Sequence, residues 1–125
     1  MAVCAGSAVS TVSSPPFSGT VSEFYEVPSP LPASAPGELI RVQPVAGAAG
    51  VTTLRIMSHS RDVKDQDVAV TGILTYPDGA APADGWPVVS TASGTAGLAE
   101  SCAPSRHGAV PPTFGVRGVA VMSDY

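Results

Sequence analysis

The sequence has little charge and no long hydrophobic run, and each lack excludes a class of protein. Charged residues make up 13% of the 125 residues and hydrophobic residues 44%, whereas disordered chains combine low hydrophobicity with high net charge. No apolar run approaches the roughly 18 residues that a membrane-spanning helix requires, so we predict no transmembrane segment. The six basic residues are scattered singly, which excludes the basic stripe that follows a nucleic-acid backbone.

Metal ligands at a suitable spacing are also lacking. The histidines are His59 and His107, and neither lies at a metal-binding spacing from a cysteine or from the other histidine. Asp62, Asp65 and Asp67 lie close together, but the glycine and the terminal glutamate of a calcium loop are missing. We therefore predict no cofactor and a solvated turn at the aspartates. Both histidines are assigned structural or surface roles, with His59 facing solvent on a strand.

The first 37 residues predict two segments that precede the domain. Residues 1–15 are small and apolar, like the end of a secretory leader, and fit either a clipped leader or a disordered N-terminus. Residues 16–37 form a proline-rich segment, in which the prolines at 28, 30, 32 and 36 exclude a helix and favour an extended path. We predict that this segment packs on the domain through its aromatic residues, with a flexible linker as the alternative. The leader-like start indicates a secreted protein.

The remaining residues, 38–125, predict a sheet that begins antiparallel and continues parallel. Residues 52–76 are rich in alternating, β-branched and aromatic residues, which predicts a hairpin that follows a strand near residue 40. Residues 86–92 and 118–123 are short apolar runs typical of buried parallel strands. The gap of about 25 residues suits a crossover, which is usually helical, but its prolines make the helical signal weak. We therefore predict an α/β fold. Its open apolar edge would be an aggregation hazard, so we expect an incomplete domain.

No catalytic nucleophile can be identified in the sequence. The pentapeptide G-x-S-x-G, which holds a serine on a strained strand-to-helix turn, does not occur, and Ser93 lacks the preceding glycine. We therefore predict a loop role for Ser93. The glycine-rich turn at residues 93–97 has more chemical promise, because small residues let backbone N–H groups approach a ligand and such donors stabilise an oxyanion. A tight loop without a ligand is the simpler alternative.

Several phrases of the sequence together resemble the secretory lipase family, secreted α/β-hydrolases of fungi and actinobacteria. The resemblance extends from Phe24 to the end of the chain, and the glycine-rich turn followed by C-A-P-S is its most specific part. Members often carry a histidine where this sequence has Ser93. The phrases are Phe24-Tyr25, Pro30-Leu31-Pro32, residues 36–41 (PGELIR), 68–77 (VAVTGILTYP), 86–89 (WPVV), 93–97 (SGTAG), 102–105 (CAPS) and 121–125 (VMSDY).

The resemblance implies an N-terminal fragment of an α/β-hydrolase fold that acts as a lipase or esterase. Such enzymes hydrolyse triacylglycerol-type carboxylic esters through a serine acyl-enzyme, and the catalytic triad of relatives lies beyond Tyr125, so this chain alone is expected to be inactive. A complete, non-catalytic, β-rich secreted binding module remains the alternative. The residues that the resemblance assigns to the oxyanion loop are Gly94, Thr95, Ala96 and Gly97.

The two cysteines, Cys4 and Cys102, leave several pairings open. In a secreted protein they could pair with each other or with partners outside the chain. The resemblance implies that Cys102 forms a disulfide with a distant downstream cysteine.

Overall fold

The structure, a computed structural model, describes residues 16–124 as one five-stranded sheet with short helical turns. Its strands are β1 (Leu39–Val45), β2 (Val51–Arg61), β3 (Asp67–Pro77), β4 (Val88–Ala92) and β5 (Val119–Ser123). They are arranged in the order β1-β2-β3-β5-β4. The described helical elements are α1 (Val21–Phe24) and two 3₁₀ turns, Glu100–Cys102 and Pro104–His107. Within residues 16–124, none is long and apolar enough to cross a membrane.

The hairpin of β2 and β3 is the longest pairing in the sheet. The two strands pair antiparallel along their whole length, which confirms the hairpin predicted for residues 52–76. Asp62 builds the connecting turn, because its carboxylate accepts hydrogen bonds from the backbone N–H groups of Lys64 and Gln66. In the part of the chain that the structure describes, no group of three His, Cys, Asp or Glu side chains could hold a metal ion.

The two strands that follow the hairpin make the sheet mixed. β4 and β5 pair parallel, in agreement with the pattern of residues 86–92 and 118–123. β5 also pairs antiparallel with β3. The parallel pair therefore lies at one side of the sheet, with β4 at its edge.

The predicted α/β class is wrong. The chain forms a small, mostly β domain that is 10% helical, and it is not the N-terminal part of an α/β-hydrolase. The crossover between β4 and β5 forms two 3₁₀ turns instead of a helix. Prolines explain the difference, since Pro104 begins the second turn and Pro111 and Pro112 follow it. A proline inside a helix removes a backbone N–H donor and clashes with the preceding turn.

The core lies on one face of the sheet. Phe24 and Tyr25 pack there with Met57 of β2, and the two aromatic rings meet edge to face with centroids 5.4 Å apart, a geometry that ring quadrupoles favour. A capping box places both rings at the end of α1. The Thr20 side chain accepts from the Glu23 N–H, and the Glu23 carboxylate accepts from the Thr20 N–H.

The solvent-facing position predicted for His59 is wrong. The residue is 6% exposed, and its Nδ1 lies 3.0 Å from both carboxyl oxygens of Asp67. Arg61 donates to the same carboxylate at 2.7 Å. Asp67 and Arg61 also bind the backbone of Ser34. The Asp67 carboxylate accepts from the Ser34 N–H, and the Arg61 guanidinium donates to the Ser34 carbonyl. Partners from another strand and from the proline-rich segment therefore cover the imidazole.

The Asp67 cluster is expected to make stability depend on pH. Partial burial alone would raise the pKa of Asp67, but hydrogen bonds from His59 and Ser34 and the attraction of His59 and Arg61 outweigh it and lower that pKa below 3.8. The stabilisation is therefore complete above pH 3.8 and is lost as the pH falls through the lower folded-state pKa. We expect Asp67→Asn to lower the Tm at neutral pH, with a difference from wild type that shrinks in acid.

Thermal melts over a series from neutral to acid pH measure this difference. Asp84→Asn is the control, because it removes the same charge from an exposed residue. A Tm difference for Asp67→Asn that stayed constant at every pH would contradict the assignment.

Candidate functional site

The glycine-rich turn lies where β4 ends. Residues 93–98 follow this strand directly and line a cavity of about 350 Å³. Because β4 and β5 are parallel, their carboxyl ends meet at the same edge of the sheet and bring distant segments together. The rest of the cavity wall comes from the crossover and from the residue after β5, namely Cys102, Ala103, Pro104 and Asp124.

The backbone N–H groups of this turn are free. Within residues 16–124, the N–H groups of residues 94–97 donate to no backbone or side-chain acceptor. Residues 94–97 are exposed, so their N–H groups are open to solvent or to a ligand. The same four residues line the cavity.

Ser93 anchors the start of the loop. Its backbone N–H donates to the carbonyl of Ser123 at 3.1 Å, and its hydroxyl donates to the carbonyl of Asp124 at 2.9 Å. The hydroxyl is thus committed to a carbonyl instead of to a base that would activate it. The position of Ser93 is consistent with the loop role predicted for it.

Gly97 determines the shape of the far side of the loop. Its φ is +128°, a region that residues with a side chain rarely adopt. A Cβ at this position would lie 2.6 Å from Sγ of Cys102. Gly94 is different, because no heavy atom lies within 4 Å of the position of its Cβ. The loop therefore requires glycine at residue 97 but has room for a side chain at residue 94.

A buried chain of hydrogen bonds lies behind the cavity. The Tyr25 hydroxyl donates to Ser105 Oγ at 2.5 Å, and the Ser105 hydroxyl donates to Asp124 Oδ2 at 2.5 Å. The Ser105 N–H donates to Oδ1 at 2.8 Å, and the Thr71 hydroxyl donates to Oδ2 at 2.6 Å. Asp124 is 5% exposed. Its carboxyl group therefore ties the crossover and β3 to the end of β5.

Arg55 holds the crossover from β2. Its Nε donates to the Ser105 carbonyl at 3.0 Å, and its guanidinium lies 5.7 Å from the centre of the Phe24 ring.

Burial raises the pKa of Tyr25 above 10.0, and the opposing effects of Ser105 and Arg55 are smaller. The Tyr25 hydroxyl therefore keeps its proton at neutral pH and acts as the donor in the buried chain.

The structure brings the residues assigned to the oxyanion loop and Cys102 into one cavity wall. Cys102 is half-buried and has no disulfide partner among residues 16–124, so its disulfide stays a prediction, and Cys4 lies outside the described residues. His107 is exposed and its Nε2 is 2.9 Å from the Ser101 carbonyl. Neither His107 nor His59 lines the cavity.

Tyr25, Ser105 and Asp124, which support the cavity, lie within segments of the resemblance, but the sequence did not indicate that they would meet. Tyr25, Ser105 and Asp124 form no recognisable spacing, since 80 and 19 residues separate the bonded pairs. Arg55 lies outside those segments, and its one signal is its place on the same face of β2 as Met57. A charged side chain beside an apolar one indicates either a solvated face or a buried polar network, and alternation alone does not distinguish them.

The arrangement suits the binding of a negatively charged oxygen. Backbone N–H groups without a protein acceptor can bind an anion, and Ala103 and Pro104 add apolar atoms to the same wall. Comparison with known proteins finds no matching family model, no similar curated protein and no similar solved structure for this chain.

Proposed function

We propose that this chain supplies the oxyanion-stabilising loop of a secreted lipase or esterase that hydrolyses triacylglycerol-type carboxylic esters. The observation that carries the proposal is the glycine-rich loop at residues 94–97, which lines a cavity and whose backbone N–H groups have no acceptor within residues 16–124. In this proposal the nucleophilic serine, its histidine and its acid are supplied from outside residues 16–124, and the chain alone is inactive.

The resemblance to the secretory lipases supports the proposal from an independent direction. Three of its segments, residues 93–97, 102–105 and 121–125, meet in the fold. Each contributes to the cavity or to the hydrogen bonds behind it. Phrases that converge on one place in a structure indicate a shared site better than phrases that are scattered over a surface.

The chemistry of ester hydrolysis explains why such a loop is useful. Attack on an ester carbonyl places negative charge on its oxygen in the transition state, and a positioned N–H donor is worth about 2.7–4 kcal/mol there. Asp124 also lines the cavity, but its carboxyl oxygens accept three hydrogen bonds from Ser105 and Thr71. They are therefore directed into the protein and away from the proposed anion position.

A titration of the full chain with butylphosphonate tests the proposal. This tetrahedral anion with a short hydrocarbon chain imitates the reacting ester group. We expect saturable changes in the amide NMR signals of residues 94–97 and tighter binding than that of inorganic phosphate, which lacks the chain. Saturable binding confined to other amides, or no binding, would overturn the proposal.

We expect Gly97→Ala to weaken butylphosphonate binding about tenfold or more. The substitution forces a side chain into an unfavourable φ and against Cys102, and strain of about 1–3 kcal/mol corresponds to roughly this loss when it displaces the donors. Gly94→Ala is the matched control, because its side chain meets no neighbouring atom, and it should bind within about twofold of wild type. Equal effects of the two substitutions would count against the loop as the binding element.

A non-catalytic binding module is the second candidate, and the mostly β architecture favours it. A binding module has no reason to prefer a transition-state shape, whereas an oxyanion loop binds the tetrahedral anion more tightly than the planar ester. Parallel titrations with butylphosphonate and ethyl butyrate distinguish the two. Equal or tighter binding of the ester would favour the module.

A further inference from the structure

The strand β4 has one free edge. On its inner side, the Val119 N–H donates to the Pro87 carbonyl at 2.8 Å, and the Ser93 N–H donates to the Ser123 carbonyl at 3.1 Å. Backbone groups of alternate residues in a strand point to opposite neighbours, so the odd-numbered residues of β4 bond to β5. The N–H and C=O groups of the even-numbered residues, Val88, Ser90 and Ala92, therefore point away from the sheet.

The opposite edge of the sheet is protected. β1 has an irregular register between Leu39 and Arg41 and contains Pro44, which has no N–H to offer a further strand. The Phe17 N–H donates to the Val42 carbonyl at 2.7 Å. A bulge, a proline and a covering segment are the usual means by which proteins prevent pairing at an edge.

The β4 edge has none of these means. Within residues 16–124, no strand lies beyond β4, and its outward residues are exposed, with Val88 65% exposed. Residues 86–99 contain no charged residue, and β4 itself contains no proline. Charges on an edge strand are a further obstacle to pairing, and without them this edge is open to another extended backbone.

We propose that β4 pairs with β4 of a second copy of this chain, antiparallel and about a twofold axis at Ser90. In this register Ser90 lies opposite Ser90 of the other copy, and Val88 lies opposite Ala92. Every outward N–H and C=O of these residues then meets a complementary group, as in the hydrogen-bonded pairs of an antiparallel ladder. The result is a closed, isologous dimer with one continuous sheet.

The observations favour a second copy over another occupant. The strand is complementary to itself in this register, because a small residue faces the valine and no like charges meet. The chain has a net charge of −4, which opposes most face-to-face contacts between copies, whereas the uncharged segment at residues 86–99 is free of this repulsion. The proposal does not depend on ester hydrolysis.

Light scattering coupled to gel filtration tests the proposal on the full chain. We expect wild type to form a dimer whose fraction rises with concentration, and Ser90→Lys to be monomeric, because like charges directly opposite destabilise a strand pair. Thr113→Lys, which adds the same charge in an exposed loop, should leave the dimer intact. A monomeric wild type at all concentrations, or association that does not stop at two copies, would overturn the proposal.

A charge-pair experiment tests the position of the axis. Ser90→Lys and Ser90→Glu should each be monomeric alone and should form a mixed dimer when combined, since only a twofold at residue 90 places the two substituted positions opposite each other. Circular dichroism of each variant establishes that it is folded. If the folded variants do not combine, or if Ser90→Lys still dimerises, the proposed pairing is wrong.

Discussion

Replacing Phe24 by alanine is expected to lower the free energy of unfolding by about 3–5 kcal/mol, as large-to-small substitutions of buried aromatic residues do. Phe24 is 0% exposed and lies among Phe17, Tyr25 and Met57. The side chain also lies under the Arg55 guanidinium, so its loss removes packing from the residue that holds the crossover. A small domain has about 5–15 kcal/mol of stability in total, so this variant should be largely unfolded at moderate denaturant concentrations.

Phe114→Ala is the matched control for this prediction. It makes the same chemical change at a residue that is 74% exposed, where surface substitutions alter stability by about 0.5 kcal/mol or less. Urea denaturation followed by circular dichroism measures both variants. Similar losses of stability in the two would contradict the placement of the core on the face that Phe24 covers.

The strands of the sheet were predicted from the sequence better than the segment that connects β4 to β5. The alternation in residues 52–76 depends only on neighbouring residues, and the hairpin follows from it. Whether a crossover forms a helix depends on two properties, namely its length and the number of helix-breaking residues that it contains. The length of residues 93–117 favoured a helix, whereas Pro104 and the later prolines prevented one, and the predicted α/β class was wrong for this reason.

Burial of polar side chains could not be predicted from alternation. The pattern of β2 places His59 on the face of Met57, but it does not show that Asp67 and Ser34 would cover the imidazole. The same limit applies to the candidate site. A run of small residues predicted the loop at residues 93–97, because backbone access is a local property. The support for that loop comes from Asp124 and Ser105, whose contacts are set by the fold.

Hydrogen bonds connect the loop at residues 93–97 to Asp124 and Ser105, the residues that support it. Ser93 is attached to β5 through the carbonyls of Ser123 and Asp124, and the side chain of Asp124 is attached to Ser105. Any change that moves Asp124 therefore moves the start of the loop and the crossover wall together. Stability and anion binding should respond in parallel to substitutions at this residue.

Asp124→Ala is expected to lower the free energy of unfolding by about 2–4 kcal/mol, because it leaves buried donors without acceptors. The donors are the backbone N–H of Ser105 and the hydroxyls of Ser105 and Thr71. Asp124→Asn should cost less, about 1–2 kcal/mol. Its carbonyl oxygen can still accept from the Ser105 N–H, and the two hydroxyls can rotate to accept from the new amide, whereas a backbone N–H cannot reverse its role.

The graded order of these variants separates a hydrogen-bonding role from a packing role. If Asp124 mattered only as volume, the nearly isosteric asparagine would match wild type. Asp84→Ala, at an exposed aspartate, provides the control and should stay within about 0.5 kcal/mol of wild type. Butylphosphonate binding should weaken in the same order, Ala more than Asn, because the carbonyl that holds the Ser93 hydroxyl belongs to the same residue. Full binding by a folded Asp124→Ala protein would show that the loop keeps its shape without this support.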